Sequence, residues 1–169
     1  DSTCADHGTE TWSPWTDPTT LPLSGQYYLT TDVTLTAAIK TTGDLKLCLN
    51  GCTITATNGA RHVMVGYGYT FSLTDCGTTG KLTGGSVTWG ASISLDYKAT
   101  FNMYGGTIQN GNSDTAGNVM FLAGAFNMYG GTITGNSSVY SGTVAVGYYY
   151  HAYGSSDGTF QMYGGSITG

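Results

Sequence analysis

Phe101-Asn102-Met103-Tyr104-Gly105-Gly106-Thr107-Ile108 decides how this chain folds, because it returns twice. The second copy is Phe126-Asn127-Met128-Tyr129-Gly130-Gly131-Thr132-Ile133, and the third is Phe160-Gln161-Met162-Tyr163-Gly164-Gly165-Ser166-Ile167. A shorter form, Gly84-Gly85-Ser86-Val87, precedes them. The Gly pairs begin at positions 84, 105, 130 and 164, intervals of 21, 25 and 34 residues. A constant core at unequal spacing is the mark of a β-solenoid, in which every coil repeats its strand and corner while its loops vary.

Working outward, the coils align into columns. Leu47, Phe71, Phe101, Phe126 and Phe160 form one inward column, and Leu49, Leu73, Met103, Met128 and Met162 the next. Cys48, Ser72, Asn102, Asn127 and Gln161 stand between them and point outward, as strand alternation requires. Ile54, Leu82, Ile108, Ile133 and Ile167 open a second wall. A third wall precedes each Phe: Val63-Met64-Val65, Ile93-Ser94-Leu95, Val119-Met120-Phe121-Leu122 and Val144-Ala145-Val146. Three short walls joined by Gly-rich corners predict an all-β parallel β-helix of roughly five to six coils, with strands stacked at about 4.8 Å. It spans residues 27–169. Residues 1–26 show no period and predict an N-terminal cap, with Trp12 and Trp15 over the first coil; such a cap covers an otherwise open strand edge.

Composition narrows the function. The chain has 169 residues, a formal charge of −5, 9% charged residues and 40% apolar ones. Residues 101–169 contain no Lys or Arg. Nucleic-acid binding needs a basic stripe, and none is present. No apolar stretch is long enough to span a bilayer as a helix. No signal-peptide pattern opens the chain, which fits a mature secreted chain beginning at Asp1. The last Gly-Gly-Ser-Ile runs to Gly169 without capping sequence, as expected of a piece of a longer protein or of a subunit whose end the next copy covers, head to tail.

Four cysteines, Cys4, Cys48, Cys52 and Cys76, fit two disulfides in an oxidising compartment. The column register sets Cys52 beside Cys76 and leaves Cys4 to tie the cap to Cys48. The swapped pairing, Cys48 with Cys76 and Cys4 with Cys52, stays open. No CxxC occurs; Cys4-Ala5-Asp6-His7 is a lone CxxH and reads as a cap cysteine beside a solvated His. No metal or other cofactor is expected.

The repeats, with Leu47-Cys48-Leu49-Asn50-Gly51 and Leu73-Thr74-Asp75-Cys76 before them, resemble the right-handed parallel β-helix regions of large secreted or cell-surface proteins of Gram-positive, gut-type bacteria. The Gly-Gly-x-Ile phrase is also similar to repeats of outer-membrane adhesins and autotransporters. This resemblance covers about residue 27 onward. It implies right-handed winding and an extracellular, cell-surface location.

β-Helix enzymes that cut polysaccharides need Asp clusters with a basic residue, or a carboxylate pair on neighbouring coils. Here Asp44, Asp75, Asp96, Asp114 and Asp157 fall at different register positions, and His151 is the only base after residue 101. The expectation is a non-catalytic structural or adhesive module; the alternative is a carbohydrate-binding or polysaccharide-cleaving one. Two candidate contact surfaces follow. Tyr104, Tyr129 and Tyr163 come one residue after an inward Met and so form an outward column, which either stacks on sugar rings or simply stabilises the sheet. Tyr148, Tyr149, Tyr150 and Tyr153 crowd a Gly/Ser-rich insertion between Val146 and Phe160, where tyrosine supplies contact area at low entropic cost. The expected partners are a second copy of the chain, or a glycan or protein of a host or bacterial surface.

Overall fold

The computed structural model describes residues 10–116, 119–122, 124–140, 142–151 and 154–169; at 115, 116, 120–122, 148–151 and 154–156 it describes the backbone only. The chain is all-β, with no helix among the described residues. After β1 (Ser13–Trp15) it runs through β2 (Gly25–Leu29), β3 (Val33–Leu35) and β4 (Ile39–Lys40). The same three-wall path recurs as β5 (Leu45–Cys48), β6 (Thr53–Asn58), β7 (Val63–Val65), and as β8 (Thr70–Thr74), β9 (Lys81–Trp89), β10 (Ile93–Leu95). It continues through β11 (Thr100–Met103), β12 (Thr107–Gln109), β13 (Asn112–Ala116), β14 (Val119–Leu122), then β15 (Ala125–Met128), β16 (Thr132–Thr134), β17 (Ser137–Ser138), β18 (Val144–His151). After β19 (Gly154–Asp157), β20 (Thr159–Met162) and β21 (Ser166–Ile167) close the series.

Like strands of successive windings pair in parallel, giving the layout of a β-solenoid. Sheet A runs β1-β2-β5-β8-β11-β15-β20, and sheet C contains β4-β7-β10-β14-β18 in stacking order. In sheet B, β9 is long enough to pair with β12 through its first half and with β13 through its second. Phe71, Phe101, Phe126 and Phe160 stack in one interior column with centroids 4.9–5.4 Å apart. Phe71, Phe101 and Phe126 are wholly buried, as are Met103 and Met128. The columns expected for the second and third walls are present: Ile54, Leu82, Ile108, Ile133 and Ile167 pair in succession, as do Val63, Ile93, Val119 and Val144.

Three readings of the sequence need correction. Phe71 pairs with Leu45, not Leu47, and Leu73 pairs with Leu47, so β5 lies two residues away from the expected register. Alternation has a period of two, so a slip of two leaves every inward residue inward and is invisible to a hydrophobic pattern. The same slip changes the cysteines. Cys48, expected on the outer surface, is fully buried, and its Sγ lies 3.1 Å from that of Cys76. Cys48 and Cys52 both carry thiols, so neither Cys52–Cys76 nor Cys4–Cys48 is a disulfide. Cys76 is disulfide-bonded; Cys4 and His7 lie outside the described residues. Lastly, Gly84-Gly85 is not equivalent to the other Gly pairs. Thr107 pairs with Lys81, which sets Gly80 beside Gly106 and puts Gly84 and Gly85 within β9.

The expected cap segment is partly a strand. β1 pairs with β2, Ser13 opposite Tyr27 and Trp15 opposite Leu29. Trp15 packs edge-on against Tyr27 at 5.4 Å and donates its indole N–H to the Thr20 carbonyl at 2.9 Å.

Candidate functional site

The candidate surface is the outer face of sheet A, and the Gly pairs build it. At the second Gly of each full repeat the backbone is left-handed, with φ of +81° at Gly106, +85° at Gly131 and +83° at Gly165. Any side chain there is strained. The first Gly is required by proximity: a Cβ on Gly130 would lie 2.4 Å from the Tyr104 carbonyl oxygen, and one on Gly164 2.5 Å from that of Tyr129. Each winding therefore settles onto the one before it at this corner, and the preceding tyrosines fall into line.

Tyr104, Tyr129 and Tyr163 form an outward ladder, as the alternation predicts. Their exposures are 47%, 44% and 64%, and their rings stack nearly parallel, 4.8 and 5.0 Å apart with 6° between planes. Beside them Asn127 donates to the side-chain carbonyl of Asn102 at 2.9 Å, and the Tyr163 hydroxyl donates to Gln161 at 2.8 Å. Face-to-face stacking has a chemical consequence. A sugar ring stacks on an aromatic face, and the faces between neighbouring rungs are already occupied by tyrosine. Along its length, between its two ends, the ladder offers edges and hydroxyls.

One of those ends opens into a cleft of about 230 Å³ lined by Glu10, Trp12, Lys46, Ser72, Thr74 and Tyr104. Its origin is in the columns. Ser72 on β8 lies between Lys46 on β5 and Asn102 on β11, and a short side chain between longer ones leaves a hollow. Glu10 crosses over sheet A, and Lys46 Nζ donates to both of its carboxylate oxygens at 2.6 Å. Burial first, and then the adjacent Tyr129 phenol, raise the Tyr104 pKa above the ordinary phenol value, while the Lys46 ammonium acts in the opposite direction.

The tyrosine-rich insertion lies elsewhere. β18 leaves sheet C and forms an antiparallel hairpin with β19, pairing Tyr148 with Asp157, Tyr149 with Ser156 and Tyr150 with Ser155. It belongs to a different wall from the ladder. The side chains of Tyr148, Tyr149 and Tyr150, and all of Tyr153, lie outside the described residues.

Several carboxylates hold the windings together. Asp75 accepts backbone N–H bonds from Gly51 at 2.7 Å, Gly77 at 3.2 Å and Gly80 at 2.7 Å. Asp32 accepts from the Thr53 N–H and Asp44 from the Thr70 N–H, each bond reaching the next winding. Asp96 accepts the Tyr97 N–H and faces Lys40 at 4.0 Å. Asp114 and Asp157 are exposed on β13 and β19. Among the described residues no group of three or more His, Cys, Asp and Glu could hold a metal ion.

Sequence reading brought out the ladder but not the cleft. Trp15 packs against Tyr27, while Trp12 lines the cleft. The available signal was the run of short side chains, Ser72 and Thr74, at outward positions that carry Asn and Tyr in later windings. No family model, curated protein or solved structure matches this chain.

Proposed function

We propose that the chain is a non-catalytic part of an extracellular structural or adhesive protein, a right-handed rod of five to six coils displayed at a cell surface. The observation that carries this reading is the outer face of sheet A, where tyrosine and asparagine ladders run from winding to winding. Regular ladders stiffen a rod and present one repeated chemistry along its length. The carboxylates support the same reading, because Asp32, Asp44 and Asp75 direct oxygens to backbone N–H groups of the scaffold. The partners are a second copy of the chain stacked head to tail, or a glycan or protein of a host or bacterial surface. In the outermost winding Met162 is 47% exposed, whereas its column mates Met103 and Met128 are buried. Another winding, from the same protein or from a second copy, would bury it.

Sedimentation velocity and pull-down with immobilised chain test the proposal together. Concentration-dependent head-to-tail association that Met162→Glu abolishes, or retention on glycan- or protein-coated surfaces, is the expected result. A strictly monomeric chain that is retained by neither surface and that turns over a polysaccharide would reverse it.

A further inference from the structure

We propose that a groove on the outer face of sheet C binds the carboxylate-bearing terminal sugar of a glycan, with the carboxylate on Arg61 and the ring against Trp89. This rests on the adhesive reading and gives its glycan partner a place and a chemical class. The groove, of about 320 Å³, is lined by Lys40, Arg61, Met64, Trp89, Ser94 and Asp96. The register explains it. Lys40, Met64 and Ser94 stand opposite one another on β4, β7 and β10, between inward neighbours Ile39, Val63, Val65, Ile93 and Leu95 that are buried. This outward column passes from two long side chains to a short one. Arg61, just before β7, reaches onto the short one, and its Nη1 donates to Ser94 Oγ at 2.7 Å. β9 has nine residues against six in β6, and its last residue, Trp89, is 47% exposed. Among the described residues no ring stacks against that indole.

Charge chooses the ligand. Arg61 is the only arginine of the chain, and with Lys40 it brings two of the five Lys and Arg residues to one groove. Asp96 is the one carboxylate in the lining, and it faces Lys40 at 4.0 Å. One positive charge is left over, in a chain that carries −5 as a whole. Arg61 holds it: among the described residues its guanidinium bonds to Ser94 and pairs with no carboxylate. Burial lowers its pKa below the ordinary guanidinium value, and no neighbouring anion opposes that. A partly desolvated cation without a counter-charge gains from an incoming anion, and the planar guanidinium fork fits a carboxylate. A single surplus charge matches a single carboxylate; a polyanion would set its further charges against the net −5. The other groups choose the body that carries the carboxylate. A pyranose has a C–H face for the indole of Trp89. Its hydroxyls accept from Lys40 and donate to Asp96, whose side chains are 62% and 51% exposed. An acidic side chain of a peptide offers no ring to the indole and no donor to Asp96. The volume, about 320 Å³, stands at the low end of the roughly 300–1,000 Å³ of small-molecule sites and holds one such ring rather than a run of them.

The test is calorimetry on the whole chain. The probes are oligosaccharides ending in a hexuronic acid or in a nonulosonic acid, the same oligosaccharides with the carboxylate reduced to an alcohol, and a glutamate-rich peptide. Three variants are compared. Arg61→Gln removes the charge but keeps an amide that can donate to Ser94; Trp89→Ala removes the indole; Lys81→Gln removes a cation outside the groove. Each is used once its thermal midpoint shows the fold intact, and Lys40→Gln replaces either groove variant that fails this check. The expected result is binding of at least one of the two acidic sugars. That binding weakens by about tenfold or more on carboxylate reduction, in Arg61→Gln and in Trp89→Ala, and stays within about twofold in Lys81→Gln. Equal binding by wild type and both groove variants overturns the groove while leaving an adhesive surface elsewhere. Absence of binding by either acidic sugar up to about 10 mM overturns it too, and the adhesive reading is then judged by the surface-retention assay alone. Tighter binding of the reduced sugar or of the peptide overturns the choice of ligand.

Discussion

At the residue scale, His62 is the most informative side chain. It is fully buried, with Nε2 3.2 Å from the Ile54 carbonyl and 3.1 Å from that of Thr83. Burial lowers its pKa from 6.5 to about 4, against the opposing pull of those carbonyls. The native state therefore refuses a proton that the unfolded chain accepts. The stabilisation is complete above pH 6.5, is lost as pH falls toward 4, and changes no further below that. It amounts to roughly 3 kcal/mol. Urea denaturation at pH 7.5 and 4.5 checks this, with His62→Leu expected to lose that share of the pH dependence. Glycine gives a second test. Gly131 and Gly59 have nearly equal φ, +85° and +83°, but a Cβ on Gly131 would lie 2.6 Å from Met103 Cε and 2.7 Å from the Gly106 oxygen, while one on Gly59 meets nothing within 4 Å. Gly59→Ala is expected to cost about 1–2 kcal/mol from backbone strain alone. Gly131→Ala is expected to cost about 2–4 kcal/mol, because a clash is added.

At the scale of the element, the interior column is continuous, and its inner rings, Phe101 and Phe126, each stack on two others. Phe126 stacks on Phe101 at 4.9 Å and on Phe160 at 5.0 Å, so Phe126→Ala opens a cavity between two windings. A loss of about 3–5 kcal/mol is expected in chemical denaturation, with Phe160→Ala costing less because that ring is only partly buried. The strands of sheets A and C were readable because inward and outward residues alternate around an identical repeat. The slip at β5 was not, since Leu45, Leu47 and Leu49 are alike and alternate equally well in either register. Gly84-Gly85 misled for a related reason: the same two letters serve a corner in one winding and the middle of a long strand in another. The cleft was hidden more deeply. It joins Glu10 to Lys46 across 36 residues of chain and exists because Ser72 and Thr74 are short, a property that shows only once their neighbours in the next winding are known. The tyrosine insertion read as a loop and forms a hairpin, because β18 extends past its sheet C partner and folds back onto β19.

At the scale of the whole molecule, every winding is held mainly by the windings on either side of it, and parallel ladders run between equivalent residues 25–34 positions apart. The bonds joining one winding to the next therefore point along the stacking direction rather than across it. Tension applied to the two termini opens these bonds in succession, as a zip, and never loads a whole strand at once in shear. Single-molecule stretching is expected to give a staircase of small, similar forces, each step releasing about 85–115 Å of contour. A single abrupt rupture of the entire chain would contradict that. Such a body yields gradually under tension, extending turn by turn while its remaining turns stay folded.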